Sequence, residues 1–259
     1  MSSTQDDPRA EVAKKVSARP LRGTTRVWWL GGASLAIRTI DSCIWVDPFF
    51  GPPARPQFHR QHPPLIRAHQ AEPVTAVLIT HEHNDHCHLP TLATLAEVHS
   101  FAIYAPAVSA AKIGAHMRDA DIHVVDHGRA ERIANIGLHV LSGNDPLAEE
   151  GVMYLVETQE CHILLPGDSL YTPGFFGFLA SYGLDLAFFS VGGLLFGKKA
   201  YMSPEEFGRA AQESGTRIAV PVHWDLWKEA RLDPAGVKDW CTPSVRLLQP
   251  GDCIELADP

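Results

Sequence analysis

The 259-residue sequence has no apolar run near the roughly 18 residues that a membrane-spanning helix needs; the stretch Leu184–Val191 stops well short. No membrane span is expected. It also lacks any Lys/Arg-rich run, and 30 acidic against 22 basic side chains give a formal charge of −8, which repels a polyanion over most of the surface. No nucleic-acid partner is expected. The five cysteines (Cys43, Cys87, Cys161, Cys241, Cys253) are odd in number and form no Cys-x-x-Cys pair, which excludes a disulfide framework and a thiolate zinc site and leaves free thiols. There is no Gly-x-Ser-x-Gly elbow to present a serine nucleophile, and no short fixed-period repeat. Residues 1–22 are polar, with both signs of charge and no continuous apolar segment. They read as a flexible N-terminal arm rather than a secretory signal, so the expected location is cytoplasmic. Residues 23–259 then form a single domain, for which 45% apolar content supplies an ample core.

What is present alternates. Strand-like segments at Val27–Leu30, Ser34–Arg38 and Cys43–Val46 are separated by Gly31-Gly32 and Asp41-Ser42, which is turn chemistry for an antiparallel meander. Residues 49–73, rich in Pro, Arg, His and Gln without periodicity, read as a long loop of the kind that usually serves function. Strands are then expected at Thr75–Thr80, Phe101–Tyr104, Ile122–Val125, Leu138–Leu141, Val152–Glu157, His162–Leu165, Leu184–Ser190 and Ile218–Val222, with helices over Leu89–Val98 and Ala107–Met117. Ser203-Pro204-Glu205-Glu206 is a helix start with a Ser cap and Pro at the first position. A small tail of helix (Pro234–Trp240) and strands (Val245–Leu248, Cys253–Leu256) closes the chain. Two sheets with helices outside fit this order better than one parallel sheet.

The segment Thr80-His81-Glu82-His83-Asn84-Asp85-His86 gathers three imidazoles and an aspartate directly after an apolar strand. No purely structural role requires that density, whereas imidazole and carboxylate are the usual ligands of first-row divalent metals. Two further strand ends follow the same logic: Gly167-Asp168 after Leu164-Leu165, and His223 after Val220-Pro221-Val222. Isolated histidines such as His99, His116, His123, His127 and His162 carry no such company and read as non-catalytic. His59, His62 and His69, in the long loop, are candidates to line a pocket.

These motifs, with Trp28-Trp29-Leu30-Gly31 and Pro221–Trp227, resemble in order the metallo-β-lactamase superfamily, and within it the L-ascorbate-6-phosphate lactonase branch, over roughly residues 26–230. The resemblance implies an α/β, four-layer αββα sandwich of two mixed sheets with helices outside. It implies His81 and His83 on a first divalent metal, Asp85, His86 and His223 on a second, Asp168 bridging them, and Asp47 supporting the metal loop from behind. The third histidine that most of the superfamily puts on the first metal is missing; Asp145 takes its place in the expected set, with Asn144 and His139 behind it. Relative to the lactonase branch, Leu170 and Trp224 stand where histidines are found, so the pocket differs.

Two divalent cations would share a water and lower its pKa, making a metal-bound hydroxide the expected nucleophile, with Asp85 orienting the water and handling its proton. The donors suit zinc or manganese, and iron also. The expected activity is metal-dependent hydrolysis of a small anionic or polar lactone, ester or phosphoester, with Lys198 and Tyr201 as substrate-binding residues. Alternatives are a phosphodiesterase acting on lipid or nucleotide esters, a mononuclear iron oxygenase, and a non-catalytic metal-binding sensor. The partner is a small-molecule substrate; a homo-oligomer stays open.

Overall fold

The computed structural model describes residues 7–241 and 243–257. Six strands open a first sheet: Thr24–Trp29 (β1), Leu35–Arg38 (β2), Cys43–Val46 (β3), Ala76–Leu78 (β4), Ala102–Ala105 (β5) and Asp121–Val124 (β6). The second sheet takes Ala130–Ile133 (β7), Ile136–Ser142 (β8), Val152–Glu157 (β9), His162–Leu165 (β10) and Leu186–Ser190 (β11). A small hairpin of Leu194–Leu195 (β12) and Lys198–Lys199 (β13) precedes Ile218–Val222 (β14) and Ser244–Val245 (β15), which complete the second sheet. Cys253–Ala257 (β16) returns to the edge of the first, beside β1. The orders are β16-β1-β2-β3-β4-β5-β6 and β15-β14-β11-β10-β9-β8-β7. Each sheet is mixed. In the first, β16 to β3 pair antiparallel and β3 to β6 parallel; in the second, β7 to β10 pair antiparallel and β10 to β15 parallel.

The two-residue period of the strands sorts side chains between layers. Ile44 and Val46 of β3 face the other sheet, alongside Val27, Trp29, Tyr154, Phe188 and Val220, while Cys43 and Trp45 turn outward onto helices. On that outer face lie Pro8–Ser17 (α1), Leu89–Val98 (α2) and Ala107–His116 (α3). Over the second sheet lies Pro204–Ser214 (α4), with 3₁₀ turns at Gly177–Tyr182 and Pro234–Asp239. The result is four layers, αββα, as the sequence pattern and the resemblance implied. α4 starts with a reciprocal Ser203/Glu206 capping box and buries Phe207, Ala210 and Ala211 against β11. Deleting a ring such as Phe188, buried between the sheets, would cost about 3–5 kcal/mol.

One expectation needs correction. Within the stretch read as a flexible arm, α1 is capped by Asp7, whose carboxylate accepts from Arg9 N, and it packs Ala13 and Val16 into the core beneath the first sheet. Two small apolar residues among charged neighbours carry too little periodic signal to announce a helix. Residues 1–6 of the arm lie outside the described residues. Among the described residues, no helix is long and apolar enough to cross a membrane.

Candidate metal centre

The chemistry-bearing side chains sit where strands end. β3 runs into Asp47, β4 through Ile79 into Thr80–His86, β8 into the turn holding Asp145, β10 into Asp168 and β14 into His223. The sheets meet at this edge, where Val152 N donates to Thr80 O (2.9 Å) and His81 bridges Gly151. Two of these residues hold left-handed backbone without being glycine: Asp47 (φ 44°) and His223 (φ 72°). Such a conformation costs about 1–2 kcal/mol and persists where surrounding structure imposes it.

Three overlapping groups of donors result: His81, His83 and Asp145; His81, His86 and Asp168; Asp85, His86 and His223, with the donor atoms of each group within 4.8 Å of one another. Hydrogen bonds at the rear of the rings fix which nitrogen faces inward. Thr80 Oγ1 donates to Asp47 Oδ2 (2.6 Å), so it accepts from His81 Nδ1–H (3.1 Å), leaving His81 Nε2 as a lone pair. His86 Nδ1–H donates to Asp47 Oδ2 (2.8 Å), and His83 Nε2–H donates to Leu147 O (3.1 Å). With each imidazole neutral the inward atoms are lone pairs, and His81 Nε2 and His83 Nδ1 stand only 2.9 Å apart. Two lone pairs at that distance repel unless something positive lies between or beside them. Asp145 Oδ2 lies 3.7 and 3.8 Å from the same two atoms. Asp168 Oδ2 lies 3.2 Å from His86 Nε2 and 3.7 Å from His223 Nε2, which is 3.4 Å from Asp85 Oδ2. Among the described residues, His86 Nε2, His223 Nε2 and Asp145 Oδ2 are buried without a hydrogen-bond partner, at about 1–3 kcal/mol each for neutral groups. Orphaned nitrogen and carboxylate donors aimed at common points, with no thiolate among them, fit a first-row divalent cation.

The electrostatics agree. Burial opposes charge on His86, yet Asp168 and Asp47 hold its pKa well above the ordinary value, so its surroundings call for positive charge. His81 goes the other way, pushed well down by burial and by His86. Burial favours the neutral acid at Asp168 and Asp85, but the neighbouring His223 and His86 hold both carboxyls well below their usual range. Asp145 is raised by burial and by Asp168. Each of these groups answers to the next, which is how a cation site behaves when its charges are arranged for an ion.

A family model described as a beta-lactamase superfamily domain matches residues 43–224, spanning every donor above. The chain belongs to the metallo-β-lactamase superfamily. A metal-dependent hydrolase from Caldivirga maquilingensis is 24% identical over 245 residues, covering 88% of this chain and 96% of that protein. The probable L-ascorbate-6-phosphate lactonase UlaG of Shigella dysenteriae serotype 1 is 23% identical over 270 residues, covering 83% and 74%. Among solved structures, a possible metal-dependent hydrolase from Veillonella parvula superposes with a TM-score of 0.74 at 17% identity, covering 89% of this chain and 99% of that one, and so shares the fold.

Within this metallo-β-lactamase frame the structure brings together His81, His83, Asp85, His86, Asp145, Asp168 and His223. Asp47, 1% exposed, lies behind them and accepts from Thr80 N as well as Thr80 Oγ1. Asn144 turns away and donates to Leu170 O, and His139 pairs with Glu157 far along β8. Tyr201 is buried with its ring against His223 (centroids 4.4 Å), and Lys198 is exposed on the hairpin. Both line a cleft of about 930 Å³ that opens onto His83, Asp85, Asp145 and Asp168. The cleft is not lined by His59, His62 or His69, which correct that expectation: His59 pairs with Glu229, and His62 with Asp225 on the loop after His223.

Sequence reasoning missed the residues that hold the donors. Ser190 Oγ donates to Asp168 Oδ1 (2.7 Å), and Trp227 Nε1 donates to Asp85 Oδ2 (3.3 Å). Glu82, inside the histidine motif, accepts from Glu149 N (2.8 Å) and so pins the Asp145 loop to the Thr80–His86 loop. The Gly31-Gly32 turn docks on the His223 loop: Gly32 N donates to Asp225 Oδ1 (3.0 Å) and Gly32 O accepts from His223 N (3.2 Å). A Cβ at Gly31 would lie 2.9 Å from Asp225 Oδ2, and both glycines hold positive φ (95° and 58°), which accounts for the pair.

Proposed function

We propose that this chain is a metal-dependent hydrolase that holds two divalent cations, of zinc, manganese or iron type, and cleaves a lactone, ester or phosphoester bond in a small polar or anionic group. The observation that carries this reading is the inward set of lone pairs on His81, His83 and His86, fixed by hydrogen bonds to Thr80, Leu147 and Asp47. His81, His83 and Asp145 would hold one cation and Asp85, His86 and His223 the other, with Asp168 available to both sets. When bound, the cations would lower the pKa of the attacking water and polarise the oxygen of the bond under attack.

The chain's own groups do the rest. Asp85, its Oδ2 fixed by Trp227, orients the attacking water and takes up its proton on the remaining oxygen. Burial, with Asp168 and Asp85 nearby, holds the Tyr201 phenol well above its ordinary pKa, so it stays a protonated donor. Its place on the cleft wall suits a hydrogen bond to the substrate oxygen that gains charge. Lys198 at the rim attracts an anionic group. The expected test result is that protein purified without added metal carries close to two divalent ions by elemental analysis, and that restoring each metal after chelation revives hydrolysis of some member of a lactone, ester and phosphodiester panel. Asp85→Asn protein that is fully loaded with metal should have no turnover. Full activity in that variant removes the assigned role, and a panel inert with every metal removes the hydrolase reading.

A further inference from the structure

The cleft is not uniformly polar. Besides Asp145 and Glu82, a file of aromatic rings lines it, running from Trp227 beside Asp85 to the exposed Phe196. Trp227, hydrogen-bonded to Asp85, packs on Phe58 (centroids 5.0 Å), and Phe58 meets Phe196 edge-on (5.3 Å). Phe49 backs the file from the other side of Trp227 (5.9 Å). Phe196 is 56% exposed, and Leu195 beside it also lines the cleft.

Phe196 occupies a position that its backbone does not favour. The β12–β13 hairpin closes through Phe196-Gly197, with φ of 49° and 77°. A two-residue turn with both φ positive is the geometry for which Asn-Gly or Gly-Gly is preferred, because a bulky side chain there is strained. Here the strained residue is a large apolar ring left more than half in water. Local stability does not explain it; a partner that covers the ring on binding does.

We infer that the substrate of the proposed hydrolytic site carries, next to the bond that is cleaved, an aryl group or medium-length alkyl chain that lies along Trp227, Phe58 and Phe196. This rests on the hydrolase reading for the bond itself, but the apolar wall can be tested without turnover. A polar group at the metal edge and an apolar arm along the rings fit a cleft lined by His83, Asp85, Asp145 and Asp168 together with Trp227, Phe58 and Phe196. Arg55 and Lys198 also line the cleft, and their charge favours entry of an anionic substrate.

The experiment titrates metal-loaded full-length protein calorimetrically with methyl-, butyl-, hexyl- and octylphosphonate, which present one anionic head with arms of increasing length and are not esters. Burial of each methylene is expected to tighten binding about three- to fourfold until the file is covered. Phe196→Ala and Phe58→Ala should each flatten that dependence, whereas Phe178→Ala, an exposed ring outside the cleft, should leave it as it is. Phe196→Gly, which relieves the backbone strain, should flatten it with no loss of melting temperature. Octylphosphonate binding no tighter than methylphosphonate overturns the inference, as does a dependence that survives both alanine variants. If affinity rises with arm length while no lactone, ester or phosphodiester is hydrolysed, the apolar wall stands and the hydrolase reading falls.

Discussion

His86 and His223 come to the same carboxylate, Asp168, from opposite sheets, and they are held there by different means. His86 belongs to a contiguous motif and is braced by a hydrogen bond from its far nitrogen to Asp47, which itself holds Thr80. Among the described residues, neither ring nitrogen of His223 has a hydrogen-bond partner. Its ring is placed by packing against Tyr201, and its backbone by the Gly32 turn, at the cost of a left-handed φ. One donor is aimed electrostatically, the other by shape. The first arrangement fixes a tautomer and raises the basicity of the inward nitrogen; the second fixes a position only.

Substitutions that strike the shared point, then each brace, put this contrast under test. Asp168→Ala removes what both histidines face and should lower affinity for at least one cation by more than about a hundredfold, with turnover falling alongside, as read by elemental analysis and competition with a chelator. Asp47→Ala, which leaves the inward donors in place, should weaken metal binding or activity by about ten- to a hundredfold; an effect below twofold would mean that the His86 brace is ornamental. Tyr201→Ala should lower metal occupancy by a smaller factor, and Tyr201→Phe, which keeps the ring, should restore the occupancy but not the rate. Equal metal loss in both Tyr201 variants would transfer the brace from shape to the hydroxyl.

The smallest effect concerns the clamp behind His223. His62 Nε2 lies 2.9 Å from Asp225 Oδ2, and that bond, against partial burial, raises the His62 pKa above 6.5. A histidine whose pKa is higher folded than unfolded adds stability that is fully present below its unfolded value and is lost as pH rises through the folded one. The melting-temperature gap between the native chain and His62→Gln should therefore be widest on the acid side of 6.5 and close as the pH rises through the raised folded value, amounting to a few degrees at most for a pair exposed on its His62 side. A gap that widens with pH would reverse the sign and sink the ion-pair reading.

How far the molecule could be read in advance depended on how local each signal was. Leu89–Val98, Val152–Glu157, His162–Leu165 and Ile218–Val222 agree with the observed elements residue for residue, because period and turn chemistry are written within each. His81 to His86 stood out for the same reason: density in one segment. Asp168 and His223 were visible as acids or imidazoles at strand tips. Ser190, Trp227 and Glu82 were not, since what makes them matter is a neighbour 22, 142 or 67 positions away. The aromatic file escaped for that reason too, its rings coming from the long loop, the β12–β13 hairpin and the loop after β14. α1 and β7, short and largely polar, lack the apolar period that would have marked them.

The Gly32–Asp225 bond spans 193 positions and seats the last donor, His223, against a turn formed near the start of the chain. Nothing before residue 220 can complete the edge by itself. During synthesis, then, the contiguous histidine loop emerges long before its counterpart, and a ribosome-bound chain truncated ahead of β14 would offer the early donors without the late ones. Assembly of this edge is a late event, timed by the arrival of β14 rather than by the motif that first betrays it.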